Sequence, residues 1–248
     1  MTTSERNQLT FKSWIKRYPG QRGGATVVFP HAGGAAAAYR ALATSLSAGG
    51  VDAYVMQYPQ RADRLTHPAA ETVADMAMEL FEAGDWGRVG SLRLFGHCMG
   101  AVVAFEFARI AERHGVDVRA LWVSASQAPV TVAASPPLPT SDREVVADMV
   151  DLGGTDARLL ADEDFVELLV RAVRADYEAF NRYECGADVR IRADIHVLGG
   201  SHDHRVDRHM LARWEVHAEK VFTLLMFDGG HFYLNDHTDA VAELVNGH

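Results

Sequence analysis

Only two cysteines occur in the 248 residues, Cys98 and Cys185, and the first has a setting in which a thiol can react. Gly96-His97-Cys98-Met99-Gly100 follows the apolar run Leu92-Arg93-Leu94-Phe95 and opens the largely apolar stretch from Ala101 to Ala111. Strand, tight turn and helix in that order fit a nucleophile elbow with cysteine in the serine position. The demand behind the two glycines is steric, because strand and helix must approach closely on either side of the nucleophile. The helix then aims its N-terminus at the site, which favours a thiolate and a developing anion. GxCxG alone also fits an inert cysteine packed beside a turn. A strong strand before it and a strong helix after it favour the reactive reading.

A cysteine nucleophile needs a base, and the base needs a group that orients it. Among the 12 histidines, His231 is best placed, in Gly229-Gly230-His231-Phe232 just past the last apolar run. Most of the others read as surface residues. For the acid, Asp203 lies in Gly199-Gly200-Ser201-His202-Asp203, after a strand end. The chain order nucleophile, acid, histidine is the order that elbow hydrolases use. Asp207 and Asp194 are alternative acids. His202, Asp203, His204, Asp207 and His209 also form an imidazole–carboxylate cluster of metal-binding type. It completes no recognised ligand spacing, and no metal is expected. The turn Pro30-His31-Ala32-Gly33-Gly34 offers backbone N–H groups that, with the N–H of Met99, can hold an oxyanion. Ala32 is the first choice of donor there and His31 the second; an ordinary strand-to-helix turn is the other reading.

The elements that must position these residues alternate. Short apolar runs bounded by turn residues read as buried strands at 25–29, 51–56, 92–95, 121–124, 195–198 and 221–227. Between them, 39–46, 71–83 and 101–111 have helical character, with Val73, Met76, Ala77 and Leu80 on one face. This alternation predicts an α/β fold with a mostly parallel, doubly wound sheet. Residues 133–185 break the pattern, starting Pro-rich and continuing as polar, helical sequence without a clear strand. They are expected to form a helical lid insertion, since active sites in such sheets lie beyond the strand C-termini. The whole of 1–248 is expected to be one domain.

Composition bounds the function. Hydrophobic residues make up 48% and charged residues 23%, with a net charge of −9, which is ordinary for a globular chain. An acidic balance argues against a nucleic-acid binder, which needs a basic face. The two cysteines form no CxxC pair, which fits a reducing compartment. The polar N-terminus has no apolar signal-peptide core and no 18-residue apolar run follows. A cytoplasmic, monomeric protein away from membranes is expected.

Taken together, FPHAGG at 29–34, MQYPQRADRL at 56–65, GHCMG at 96–100, RADYEAFNRYE at 174–184, GGSHDHRV at 199–206, LARW at 211–214 and GGHFYL at 229–234 resemble the type II thioesterases. These are stand-alone editing hydrolases of polyketide and non-ribosomal peptide synthesis. The resemblance runs from about Val27 to the C-terminus. It implies an α/β-hydrolase fold with a helical lid, acting on acyl groups carried by the phosphopantetheine of an acyl or peptidyl carrier protein, with no cofactor of its own. The family's nucleophile falls on Cys98, its acid on Asp203, its histidine on His231, and its oxyanion donors on Met99 and Ala32. Two positions depart from the family. Serine is usual where Cys98 stands, and glycine where Gln60 stands, a change expected to affect only a loop. The rival readings are a small-molecule ester or lactone hydrolase with a cysteine nucleophile, and a non-catalytic module that binds acylated carriers.

Overall fold

A computed structural model describes residues 9–154 and 162–247. The first eight residues of the polar N-terminus, 155–161 of the expected insertion, and His248 lie outside the described residues. Among those described, seven strands form one sheet: β1 (Lys16–Tyr18), β2 (Ala25–Phe29), β3 (Asp52–Val55), β4 (Leu92–His97), β5 (Val118–Ser124), β6 (Asp194–Gly200) and β7 (Phe222–Phe227). Their order is β1-β3-β2-β4-β5-β6-β7. All neighbours are parallel except β1, which runs antiparallel to β3. The central strands read as continuous apolar runs because a parallel sheet is covered on both faces. The short edge strand β1 was not legible as a strand. It is three residues of mixed polarity, held by the ion pair of Arg17 with Asp52 at 2.8 Å.

Alternation along each strand sorts side chains to opposite faces. Val27, Phe29, Leu94 and Val123 join one buried cluster, while Val28, Phe95 and Trp122 join the other. The helices are α1 (Arg40–Ala48), α2 (Val73–Glu82), α3 (Trp86–Val89), α4 (Met99–Arg113), α5 (Pro129–Val132), α6 (Asp142–Leu152), α7 (Glu163–Asn181), α8 (Arg208–Ala212) and α9 (Thr238–Gly247). On the first face, α2 and α4 supply Met76, Leu80, Val103 and Phe107. On the second, α1 and α9 supply Leu42, Leu46, Val241 and Val245. The buried length of α4 accounts for its nearly all-round apolar sequence. Its one buried acid, Glu106, is held by Arg109 at 2.7 Å and by the Tyr183 hydroxyl at 2.6 Å.

Helices α6 and α7 pack on each other through Val145, Met149, Val170, Val173 and Tyr177. Asp162 caps α7, its carboxylate accepting from the N–H of Phe165 at 3.1 Å. Both helices fall in the stretch that broke the strand–helix alternation, and both line the cavity over the strand C-termini.

Candidate active site

Cys98 stands between β4 and α4 with φ 54° and ψ −129°. A non-glycine residue held there costs on the order of 1–3 kcal/mol and must be fixed by its surroundings. The fixing bonds run from the Cys98 N–H to the Ser124 carbonyl at 2.8 Å and from the Ala101 N–H to the Cys98 carbonyl at 3.0 Å. The flanking glycines are a packing necessity. A Cβ on Gly96 would lie 2.4 Å from the Ala101 Cα, and one on Gly100 would lie 2.2 Å from the Phe29 carbonyl oxygen.

Loops at the ends of β6 and β7 bring Asp203 and His231 to the same place. The His231 Nδ1–H donates to Asp203 Oδ2 at 2.8 Å, and both residues are buried. Asp203 Oδ1 accepts from the backbone N–H groups of Arg205 at 2.8 Å and Val206 at 3.2 Å. Burial alone would raise this carboxyl. The hydrogen bond and charge of His231, with those two N–H groups, outweigh it and hold Asp203 below the usual carboxylate range. Burial likewise disfavours the charged form of His231, yet the charge at Cys98 and the bond to Asp203 overcome it and push the imidazole up to about 9. Its Nε2 is buried and makes no hydrogen bond of regular geometry, the Cys98 sulfur being the neighbour that acts on it.

The turn after β2 has most of its N–H groups committed. That of His31 donates to the Tyr39 hydroxyl at 3.1 Å, that of Gly33 to Asp176 at 2.7 Å, and that of Gly34 to the His31 carbonyl at 2.9 Å. The Ala32 N–H is left without a protein acceptor among the described residues. Cys98, Met99 and His231 line one cavity of about 340 Å³. Its walls are largely apolar, with Leu138, Phe180, Val206 and Met210. A polar corner is formed where Asp148 accepts from Tyr177 at 2.7 Å and pairs with Arg205.

The family model of the thioesterase domain matches residues 26–248. The chain belongs to the thioesterase-domain family. It is 35% identical over 239 residues to Thioesterase PikA5 of Streptomyces venezuelae, covering 95% of this chain and 85% of that protein. The solved structure of the type II thioesterase BorB, from the borrelidin biosynthetic cluster, matches at TM-score 0.81 and 35% identity, covering 96% of this chain and 98% of that one. Phenyloxazoline synthase MbtB of Mycobacterium tuberculosis is 66% identical over 240 residues, covering 96% of this chain but only 17% of the synthase. The sheet and its helices are thus the α/β-hydrolase fold of a thioesterase.

Within this fold the two alternative acids stand elsewhere. Asp207 caps α8 by accepting from the Met210 N–H at 2.8 Å, and Asp194 begins β6 at the far end of the strand, facing the Val221 N–H at 3.4 Å. The metal-like cluster does not converge. His202 faces Asp228 at 3.4 Å and His204 faces Asp151 at 2.8 Å.

Three histidines are exceptions to the surface placement expected of most: His97, His196 and His217 are buried. His97 directly precedes Cys98, and its Nδ1 contacts the Ser124 hydroxyl at 2.9 Å. Burial, with the charge on His231, holds it well below the usual imidazole range. His31 is pushed down to about 3, by burial first and then by His231 and Arg61.

Three further residues were not singled out from sequence: Asp176, Arg61 and Tyr39, all against the turn after β2. Two of them lie inside motifs that carried the resemblance, RADYEAF and PQRADR, which was the available signal. Gln60 has φ 65°, the left-handed region where glycine carries no penalty. A glycine in place of Gln60 would relieve that backbone penalty.

Proposed function

We propose that this chain hydrolyses acyl thioesters presented on the phosphopantetheine arm of carrier proteins, through an acyl-enzyme on Cys98. The observation that carries the reading is the buried His231–Asp203 pair meeting a strained cysteine at a helix N-terminus, with Cys98, Met99 and His231 on one cavity; the uncommitted N–H of Ala32, on the turn after β2, adds a donor. The names of PikA5 and BorB, and the synthase setting of MbtB, support carrier-bound acyl groups as the substrate class.

The thiolate of Cys98 attacks the thioester carbonyl, and the oxyanion is held by the N–H groups of Ala32 and Met99. Collapse expels the pantetheine sulfur, which takes the proton from His231 Nε2. Acylation removes the charge at Cys98 that raises His231, so the imidazole, having given up its proton, is left as a neutral base. It then takes a proton from water attacking the acyl-enzyme, and the second collapse returns the Cys98 thiolate, imidazolium and a free carboxylic acid. Asp203 fixes the tautomer throughout. Helices α6 and α7 act as a lid over the cavity.

Intact-mass analysis with a set of acyl-carrier thioesters tests the reading. The expected result is a transient acyl adduct that maps to Cys98 and decays with release of free acid. Absence of both the adduct and Cys98-dependent acid release would overturn it.

A further inference from the structure

We propose that Asp176, on the lid helix α7, is the positioning residue of the oxyanion turn, and that with Arg61 it selects the Ala32 N–H as the donor facing the substrate. The inference rests on the reading of the site given above.

Gly33 is the pivot. It has φ 74°, and a Cβ placed on it would lie 2.3 Å from Val173 Cγ2, so α7 sits directly against the turn. From that helix the Asp176 carboxylate takes the Gly33 N–H at 2.7 Å. The same carboxylate pairs with Arg61, a buried guanidinium that also donates to the Pro59 carbonyl and, through Nε, to the Gly34 carbonyl at 3.2 Å. The turn is therefore held at the N–H of Gly33 and at the carbonyl of Gly34 by one pair of charges. Tyr39 holds the His31 N–H from the other side at 3.1 Å. These restraints leave the Ala32 N–H as the uncommitted donor.

Stability is a poor reason for such a pair. Two buried charges seldom repay their desolvation, and burial pushes the Asp176 carboxyl above the usual range despite Arg61 and the Gly33 N–H. What the pair does provide is fixed geometry, and it couples that geometry to the docking of α7. A hole assembled only when the lid helix is seated keeps the nucleophile from being served by a donor until the cavity is roofed.

The test compares ground-state and oxyanion-like ligands. Asp176→Leu with Arg61→Met removes both charges while keeping bulk, so no unpaired charge is left buried. The double variant is expected to lose kcat, and affinity for an acyl trifluoromethyl ketone that adds to Cys98 as an oxyanion, each by on the order of 10²-fold. Binding of a non-hydrolysable thioether analogue of the acyl-pantetheine, and the rate of Cys98 alkylation by iodoacetamide, should stay within about threefold. Asp176→Asn keeps an acceptor for the Gly33 N–H and should stay within about fivefold of the native ketone affinity.

A folded double variant with native kcat overturns the proposal, as does equal weakening of ketone and thioether, which would mean a general role in seating substrate. Should the double variant not fold, Asp176→Asn and Asp176→Leu are compared instead, since both leave Arg61 unpaired and only the asparagine keeps an acceptor for the Gly33 N–H: equal ketone affinity in the two counts against the proposal. If the native protein releases no acid from acyl-pantetheine, the function proposed above fails, while ketone addition to Cys98 still reports on the turn.

Discussion

The imidazole of His231 is where the proposed cysteine chemistry can be tested most directly. Its rise to about 9 depends first on the charge at Cys98, with the Asp203 bond adding to it against the opposing effect of burial. Removing the charge at Cys98 removes an upward influence, so the His231 titration should move to lower pH in Cys98→Ser and in the alkylated protein. Proton NMR of the His231 ring should show a midpoint near 9 in the native chain and a lower one in both modified forms; an unmoved midpoint would remove Cys98 as the partner. The acid can be tested beside it. Asp203→Asn should leave the fold intact and lower kcat by roughly 10⁴-fold, since the wrong imidazole tautomer is then favoured. Asp207→Asn trims a helix cap and should cost at most about 1 kcal/mol of stability with kcat unchanged. Steady-state kinetics and denaturant melts on both variants distinguish the two acids.

At the scale of elements, β4 and α4 make the elbow only because nothing but hydrogen stands on Gly96 and Gly100. Gly100→Ala drives a methyl to 2.2 Å from the Phe29 carbonyl oxygen on β2, against backbone that cannot turn aside. A loss of about 3 kcal/mol or more is expected, in the range of overpacked core positions. Gly23→Ala is the control, because its Cβ would meet nothing within 4 Å, and it should change stability by less than about 0.5 kcal/mol. Urea unfolding of both variants checks the contrast. Comparable losses would mean that the strand–helix approach is softer than these distances imply.

Across the whole molecule, buried neutral histidines set the response to acid. His31, His97 and His217 are all held below the usual imidazole range, by burial first in each case. Below about pH 6.5 the unfolded chain binds protons at these three positions that the folded chain refuses, so stability falls as the pH falls. Each such group contributes up to about 1.4 kcal/mol per pH unit. His231 adds nothing to that slope, being protonated in both states there. Its own contribution is present below about 6.5 and is lost as the pH rises toward about 9. Melting temperatures measured from pH 4 to 9 should therefore drop steeply on the acid side and gently above neutrality. Replacing His217 by Gln, which can still accept the Val130 N–H now bonded to its Nε2 at 3.1 Å, should flatten the acid limb.

The elbow was legible in the amino-acid sequence because its requirements are local. Glycines two residues either side of Cys98, a strand before and a helix after are all visible in one short window. Asp203 and His231 were legible for a related reason, since each directly follows a strand and parallel strands deliver their C-terminal loops to one edge. The strand–helix alternation gave the sheet the same way, whereas β1, three residues of mixed polarity, was too short to show, and α9 went unread. Asp176 was one acid among several on a polar helix, 143 residues from the Gly33 N–H it accepts and 115 from the Arg61 it pairs with. No periodicity links such positions. The choice among the N–H groups of the turn after β2 was likewise out of reach, because it depends on Tyr39 and Asp176 taking those of His31 and Gly33. Local spacing determined which side chains could react; packing between distant elements decided which backbone N–H of the turn was left uncommitted.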